Sequence, residues 1–197
     1  MEEIGDPRSA DRPLSSVYGT THQRCQKMIH HSLSKNPMVK FMRQALDTAG
    51  CPVGDKFFKA TTCEKVVGGG FQSDLGVVIC CNHVLFQKEV DMILTHELIH
   101  AYDHCRAKNL DWSNCEHHAC SEIRAANLSG DCHFKQEFNR GNFGFQKHHQ
   151  VPIVCVKRRA LLSVAMNPNC SKSDAESAID AVWSTCYKDT QPFDRVP

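Results

Sequence analysis

The sequence predicts an α+β protein, mostly helical, with a small sheet just ahead of its longest helix. Three observations carry that expectation. From Leu85 to Arg106 no Gly or Pro interrupts the chain, and Val90, Leu94, Leu98, Ala101 and Cys105 recur at helical spacing as one apolar stripe. Immediately before it, Gly76-Val77-Val78-Ile79-Cys80-Cys81 is a short apolar, β-branched run that reads as a strand. After it come three more helical patterns, the first closed by Gly130 and the last two separated by Asn167-Pro168.

Residues 1–19 hold Pro7, Pro13, several charges and few apolar side chains, so an extended or disordered start is expected, with residues 20–197 forming a single domain. Thr21 to about Ala49 is helical in pattern: Cys25, Met28 and Ile29 make one apolar set, and Met38, Phe41, Met42 and Leu46 another. Asn36-Pro37 divides it into two helices, because the residue before proline avoids the α region, and Gly50 suits a C-cap. Phe57–Val67 is rich in β-branched and aromatic residues and reads as β structure. Gly68-Gly69-Gly70 reads as a turn, since it lacks the strand–helix context of a phosphate loop.

The strand 76–81 runs into the long helix through Asn82-His83-Val84, and by analogy it would edge a cleft and pair with an extended peptide. Asn109–Cys115 is a polar loop. Glu116 to Leu128 is a helix with His118, Ala119, Glu122, Ala125 and Ala126 on one face, and its three alanines permit close approach of a neighbouring helix. Phe134–His149 is expected as loop or irregular helix, and Val151–Met166 and Lys172–Tyr187 as two C-terminal helices.

Composition narrows the function classes. With 23 basic and 22 acidic residues the net charge is +1, which gives no electrostatic case for nucleic acid. No apolar run approaches the ~18 residues of a membrane span, and the acidic opening Met1-Glu2-Glu3 resembles neither a secretory signal nor an Arg-rich transit peptide. The chain has 12 cysteines, widely spread and without a CxxC pair. That pattern favours disulfides over reduced core thiols, and over a thiolate metal site. Cys80 and Cys81 would point to opposite faces of a strand and so pair with different partners.

The chemistry is concentrated in His96-Glu97-Leu98-Ile99-His100, an HExxH motif within the long helix. On a helix the two histidines stand about 40° apart, one turn along the axis, where both imidazoles can bind one Zn²⁺. Glu97 lies on the adjoining flank, where a general base is needed. This predicts a zincin-like metallopeptidase with one zinc per chain. Asp103, three residues on, is placed to orient a ligand imidazole.

A catalytic zinc needs a third protein ligand. The HExxHxxGxxH form fails, because Asp103 and Arg106 occupy the Gly and His positions. A form that draws a Glu from a later helix, about 20 residues on, fits Glu122. His118 shares the face of Glu122 and is the rival; His117, Asp103 and Glu116 are weaker. The plain alternative for Glu122 is a surface carboxylate paired with Arg124 or Arg106. His133 and Tyr102 are candidates to stabilise an oxyanion.

His96-Glu97-Leu98-Ile99-His100-Ala101-Tyr102-Asp103, followed by Ala119-Cys120-Ser121-Glu122-Ile123-Arg124-Ala125, resembles the mitochondrial inner-membrane metalloprotease family that processes and helps assemble subunit 6 of the ATP synthase membrane sector. The likeness spans roughly residues 50–190. It implies a zinc endopeptidase, peripheral on the inner membrane and facing the intermembrane space, with that ATP synthase subunit as substrate. It also implies oxidation of the cysteines there without a cleaved presequence, and a protease-independent assembly role. The alternative is a non-catalytic assembly chaperone that zinc and disulfides merely hold together. Glu97 favours catalysis, because a purely structural site has no use for a base there.

Overall fold

The computed structural model describes residues 19–133, 136–137 and 151–197. Nearly all of the segments 1–19 and 134–149 discussed above lie outside these residues. Six α-helices and one three-stranded sheet make up the described chain.

Helix α1, His22–Lys35, starts at Thr21, whose hydroxyl accepts from the Arg24 amide at 3.3 Å. It stops at Asn36, which then caps α2, Pro37–Thr48, by accepting from the Met38 and Val39 amides at 2.9 and 3.1 Å. Pro37 at the first helical position costs no hydrogen bond. α2 closes in a Schellman motif: Cys51 N–H donates to Leu46 O and Gly50 N–H to Asp47 O, with Gly50 at φ 88°. The expected C-cap is therefore present, and it delivers Cys51 to a disulfide with Cys105 at the end of α3.

The sheet is smaller than the sequence pattern implied. After a short 3₁₀ turn over Asp55–Phe57 come β1, Phe58–Thr61; β2, Gly69–Gln72; and β3, Gly76–Cys80. β1 lies parallel and β2 antiparallel to β3, so the order is β1-β3-β2. Two expectations are corrected here. The triglycine is not only a turn, since Gly69 and Gly70 begin a strand. β3 is not an edge, since both its sides are paired; the edge beside α3 belongs to β2. Gly69 permits this approach: a Cβ there would stand 2.5 Å from Val78 O and 2.8 Å from Ile93 Cγ2 of α3.

Helix α3, Gln87–Arg106, follows a 3₁₀ turn over Cys81–His83. The Glu89 carboxylate accepts from the Leu85 and Phe86 amides at its start, at 2.8 and 3.0 Å. Then come α4, Cys115–Leu128; α5, Val151–Val164; and α6, Lys172–Cys186. The buried side chains form two clusters. The first joins α1, α2, the sheet and α3; the second joins α4, α5 and α6. α4 serves both, with Ala125 and Leu128 in the first and Ala119, Ile123 and Ala126 in the second. Its alanines let α3 and α4 pack closely, and the polar faces of these two helices meet at the seam between the clusters.

Five disulfides brace this frame: Cys51–Cys105, Cys63–Cys80, Cys115–Cys170, Cys120–Cys186 and Cys132–Cys155. In the chain-entropy account each contributes about 3–4.5 kcal/mol. Cys80 is paired as expected, but Cys81 is not: it remains a buried thiol, as does Cys25. The 3₁₀ turn that begins at Cys81 takes it out of the strand and into the first cluster.

Candidate metal centre

His96 and His100 point from α3 toward α4, and Glu122 points back. His100 Nε2 lies 3.1 Å from His96 Nε2 and 3.4 Å from Glu122 Oε1, while His96 Nε2 lies 3.5 Å from Glu122 Oε2. All three donor atoms fall within 4.8 Å of one another. Two imidazole nitrogens and a carboxylate at such spacing suit a small divalent cation. His100 and Glu122 are buried, and His96 keeps 17% of its side chain exposed, which leaves a way in.

The hydrogen bonds around His100 fix its chemistry. Ser121 Oγ–H donates to Asp103 Oδ2 at 3.0 Å, so Ser121 Oγ is left to accept from His100 Nδ1–H at 2.8 Å. Nε2 is thereby the atom free to bind a cation. Asp103 acts through Ser121 rather than on the ring directly, as the sequence had suggested. Asp103 is in turn held by Arg124 Nε at 2.9 Å and Arg106 Nε at 3.1 Å. Both guanidinium groups continue to the C-terminal segment, where they meet Asp189 and Gln191. The two arginines that might have paired with Glu122 are thus committed elsewhere.

Glu122 is held by two side chains outside the donor set. Ser163 of α5 donates to Oε1 at 2.5 Å. His118 Nε2 lies 3.4 Å from the same oxygen. Asn167 Nδ2 is 3.1 Å from His118 Nδ1, and since an amide nitrogen only donates, His118 Nδ1 accepts and Nε2 carries the proton. His118 therefore offers Glu122 a hydrogen bond and has no lone pair turned to the centre. His117 is exposed and accepts from the Asp111 amide through Nδ1, and Glu116 is exposed at the start of α4.

Glu97 is buried beside the three donors. Burial pushes its carboxyl above the usual range, opposed by His96 and His100 and by a backbone hydrogen bond from Phe71. That bond has a structural origin. Cys80 N–H donates to Gly68 O at 2.9 Å, and with the β2–β3 register this turns the outward amides of β2 to Gly69 and Phe71. The free edge of β2 thus faces Glu97. Trp112 forms a further wall, its ring centroid 5.8 Å from His100 and 6.0 Å from both Phe71 and His118.

Tyr102 lies under the Arg106 guanidinium at 5.6 Å, packed on the first cluster, and His133 is exposed. Neither hydrogen-bonds to the donor group among the described residues. His104 stacks on Trp112 at 6.3 Å. The sequence reading passed over Ser121, Ser163 and Trp112. For Ser163 a signal existed: it is the one polar residue between Leu161-Leu162 and Val164-Ala165. For Ser121 and Trp112 there was none.

Burial draws the His100 imidazole toward neutrality, but Glu122, Glu97 and Asp103 outweigh it and push its pKa up to about 9. Burial opposes the charge on Glu122 as well, yet His100, His118 and His96 keep its carboxyl well below the usual range. Because the folded pKa of His100 exceeds its unfolded value, protonation stabilises the metal-free protein fully below about pH 6.5, and that contribution is lost as pH rises through about 9. The same proton competes with a cation for Nε2. Metal affinity is therefore expected to rise about tenfold per pH unit between pH 6.5 and 9 and then flatten. Chelator-competition titrations across this range check it; a flat affinity would contradict it.

Arg124 is 1% exposed and neutralises Asp103 from the side away from the cation centre. Arg124→Ala is expected to destabilise the protein in urea unfolding, toward the ~3–5 kcal/mol that breaking a buried ion pair costs, because only the partly exposed Arg106 is left to neutralise Asp103. A cost below about 1 kcal/mol would show that Arg106 alone suffices.

The Peptidase M76 family model matches residues 23–194. A protein from Danio rerio named mitochondrial inner membrane protease ATP23 homolog is 44% identical over 181 residues, 90% of this chain and 70% of its own length. Its namesake from Homo sapiens is 43% identical over 185 residues, covering 92% and 74%. The mitochondrial inner membrane protease ATP23 of Mycosarcoma maydis is 35% identical over 218 residues, covering 96% and 97%. No solved structure matches. The family model takes in α1 through α6, both helices of the candidate metal centre included, and the chain belongs to the peptidase M76 family.

Proposed function

We propose that this chain is a zinc-dependent endopeptidase of the HExxH type on a zincin-like frame, with residues 20–197 as one metallopeptidase domain. The observation that carries the reading is the convergence of His96, His100 and Glu122 from two helices, with Glu97 buried beside them. The donor set is one that zinc accepts, with room for a further ligand. Zinc bound there would supply Lewis-acid activation of water and of the scissile carbonyl.

The chain's own residues do the rest. Glu97 takes a proton from the attacking water and returns it to the leaving amine nitrogen. Its burial raises its basicity toward that task. Ser121 holds His100 in one tautomer, and Ser163 and His118 hold the Glu122 carboxylate, so the donors need little reorganisation. The outward carbonyls of Gly69 and Phe71 and the Gly69 amide offer an extended polypeptide a strand to pair with, while the Phe71 amide is held by Glu97. That edge replaces the one the sequence had assigned to β3.

The relatives named above are mitochondrial inner membrane proteases. Among the described residues no helix is long and apolar enough to cross a membrane. We place the protein peripherally on the inner membrane, on the intermembrane-space side, and assign it a membrane subunit of ATP synthase as protein substrate. The test is a trapping experiment. Glu97→Gln protein in isolated mitochondria should retain that subunit, unprocessed, on purification. Its absence, with other proteins retained instead, would overturn the substrate assignment and leave the chemistry standing.

A further inference from the structure

Ten of the twelve cysteines are paired in disulfides, and the two that remain meet each other. Cys25 lies on α1 and Cys81 just past β3; they are 0% and 2% exposed, the Cys81 thiol donates to Ile79 O at 3.8 Å, and the two thiols are close enough to interact electrostatically. Both belong to the first cluster, away from the three donors of the metal centre. The backbone keeps them together: five residues ahead of Cys25, the Thr20 amide donates to Cys81 O at 2.8 Å. We propose that Cys25 and Cys81 are a dithiol–disulfide couple, a redox site separate from the metal centre, whose closure fastens α1 to the end of β3.

Closure is thiol–disulfide exchange with an external disulfide, from a small molecule or an oxidoreductase. One thiolate attacks a sulfur of that disulfide, its S–S bond breaks, and the released thiolate takes up the proton the attacking thiol has lost. The second cysteine then displaces the remaining half. The Cys25–Cys81 bond forms, the external disulfide is reduced to two thiols, and atoms and electrons balance.

The docked fold slows this reaction. Burial and the neighbouring thiol push the Cys25 pKa up, so little thiolate exists, and no reagent reaches either sulfur. Exchange needs α1 to lift from α3. The contacts that must open are Ser32 Oγ to Asp91 Oδ1 at 2.5 Å, and Gln87 Nε2 to Ser32 Oγ and Met28 O at 2.9 and 3.0 Å. Docking of α1 thus gates the couple. Once closed, the bond holds α2 and all three strands within one covalent loop, and removes the open state.

The full-length protein with its metal is incubated in glutathione buffers of increasing disulfide fraction, with and without urea low enough to keep it folded. It is then quenched in acid, unfolded, alkylated and read by intact mass and non-reducing peptide mapping. Two alkylatable thiols should disappear together, faster in urea, and a Cys25–Cys81 peptide should appear. The closed form should melt on the order of 5–10 °C higher. In Cys81→Ala protein, Cys25 should stop as a mixed disulfide with glutathione. The proposal is overturned if both thiols survive the most oxidising buffer in urea. It is equally overturned if each ends as a separate glutathione adduct in the wild-type chain.

Discussion

Glu97→Gln should keep one zinc per chain and lose peptide hydrolysis by about 10²–10⁴-fold, the range a positioned general base supplies. The amide is nearly isosteric, so α3 and the donors around it should not move. It cannot take a proton, and it can still accept a hydrogen bond from the backbone of Phe71. Metal content by mass spectrometry and turnover of a peptide substrate are measured on one preparation. Equal metal with turnover within about threefold of wild type would remove Glu97 from the mechanism. Loss of metal would instead assign Glu97 a part in holding the site.

Glu122→Gln should weaken zinc binding by well over 100-fold, and His118→Ala by about 10-fold. The carboxylate supplies charge to a centre that otherwise contains two neutral imidazoles. It lies 3.4 and 3.5 Å from their nitrogens, within the donor group itself. His118 reaches the centre only by donating a hydrogen bond to Glu122, and loss of such an outer partner typically costs 10–100-fold. Ser163→Ala should resemble His118→Ala, since Ser163 holds the same oxygen. Chelator competition ranks the three variants. If His118→Ala proved the most damaging, the histidine and not the glutamate would be the third ligand.

What the sequence disclosed and what it concealed follow from where the information resides. The α3 pattern is read locally: Val90, Leu94, Leu98 and Ala101 are all buried, and the face they leave carries His96 and His100. The division of α1 from α2 at Asn36-Pro37 and the end of α2 at Gly50 are equally local, because backbone chemistry at one or two residues decides them. β2 was concealed because glycines carry no side-chain alternation; Gly69 is there for the approach of Ile93, a contact made across the fold. Disulfide partners were concealed for the same reason, since Cys120 and Cys186 meet only once α4 and α6 have packed. The supports of the metal centre are likewise tertiary. Ser121 reads as one more small polar residue until α4 places it between His100 and Asp103.

On the proposed function, His96, His100 and Glu122 together hold one zinc ion. Anomalous diffraction from crystals of the zinc-loaded protein, recorded on both sides of the zinc absorption edge, tests it most directly. One peak is predicted per chain, bonded to His96 Nε2, His100 Nε2 and a Glu122 oxygen, with Glu97 beside it but not bonded. A peak bonded to His118 in place of Glu122, or located only outside the seam between α3 and α4, would contradict the claim.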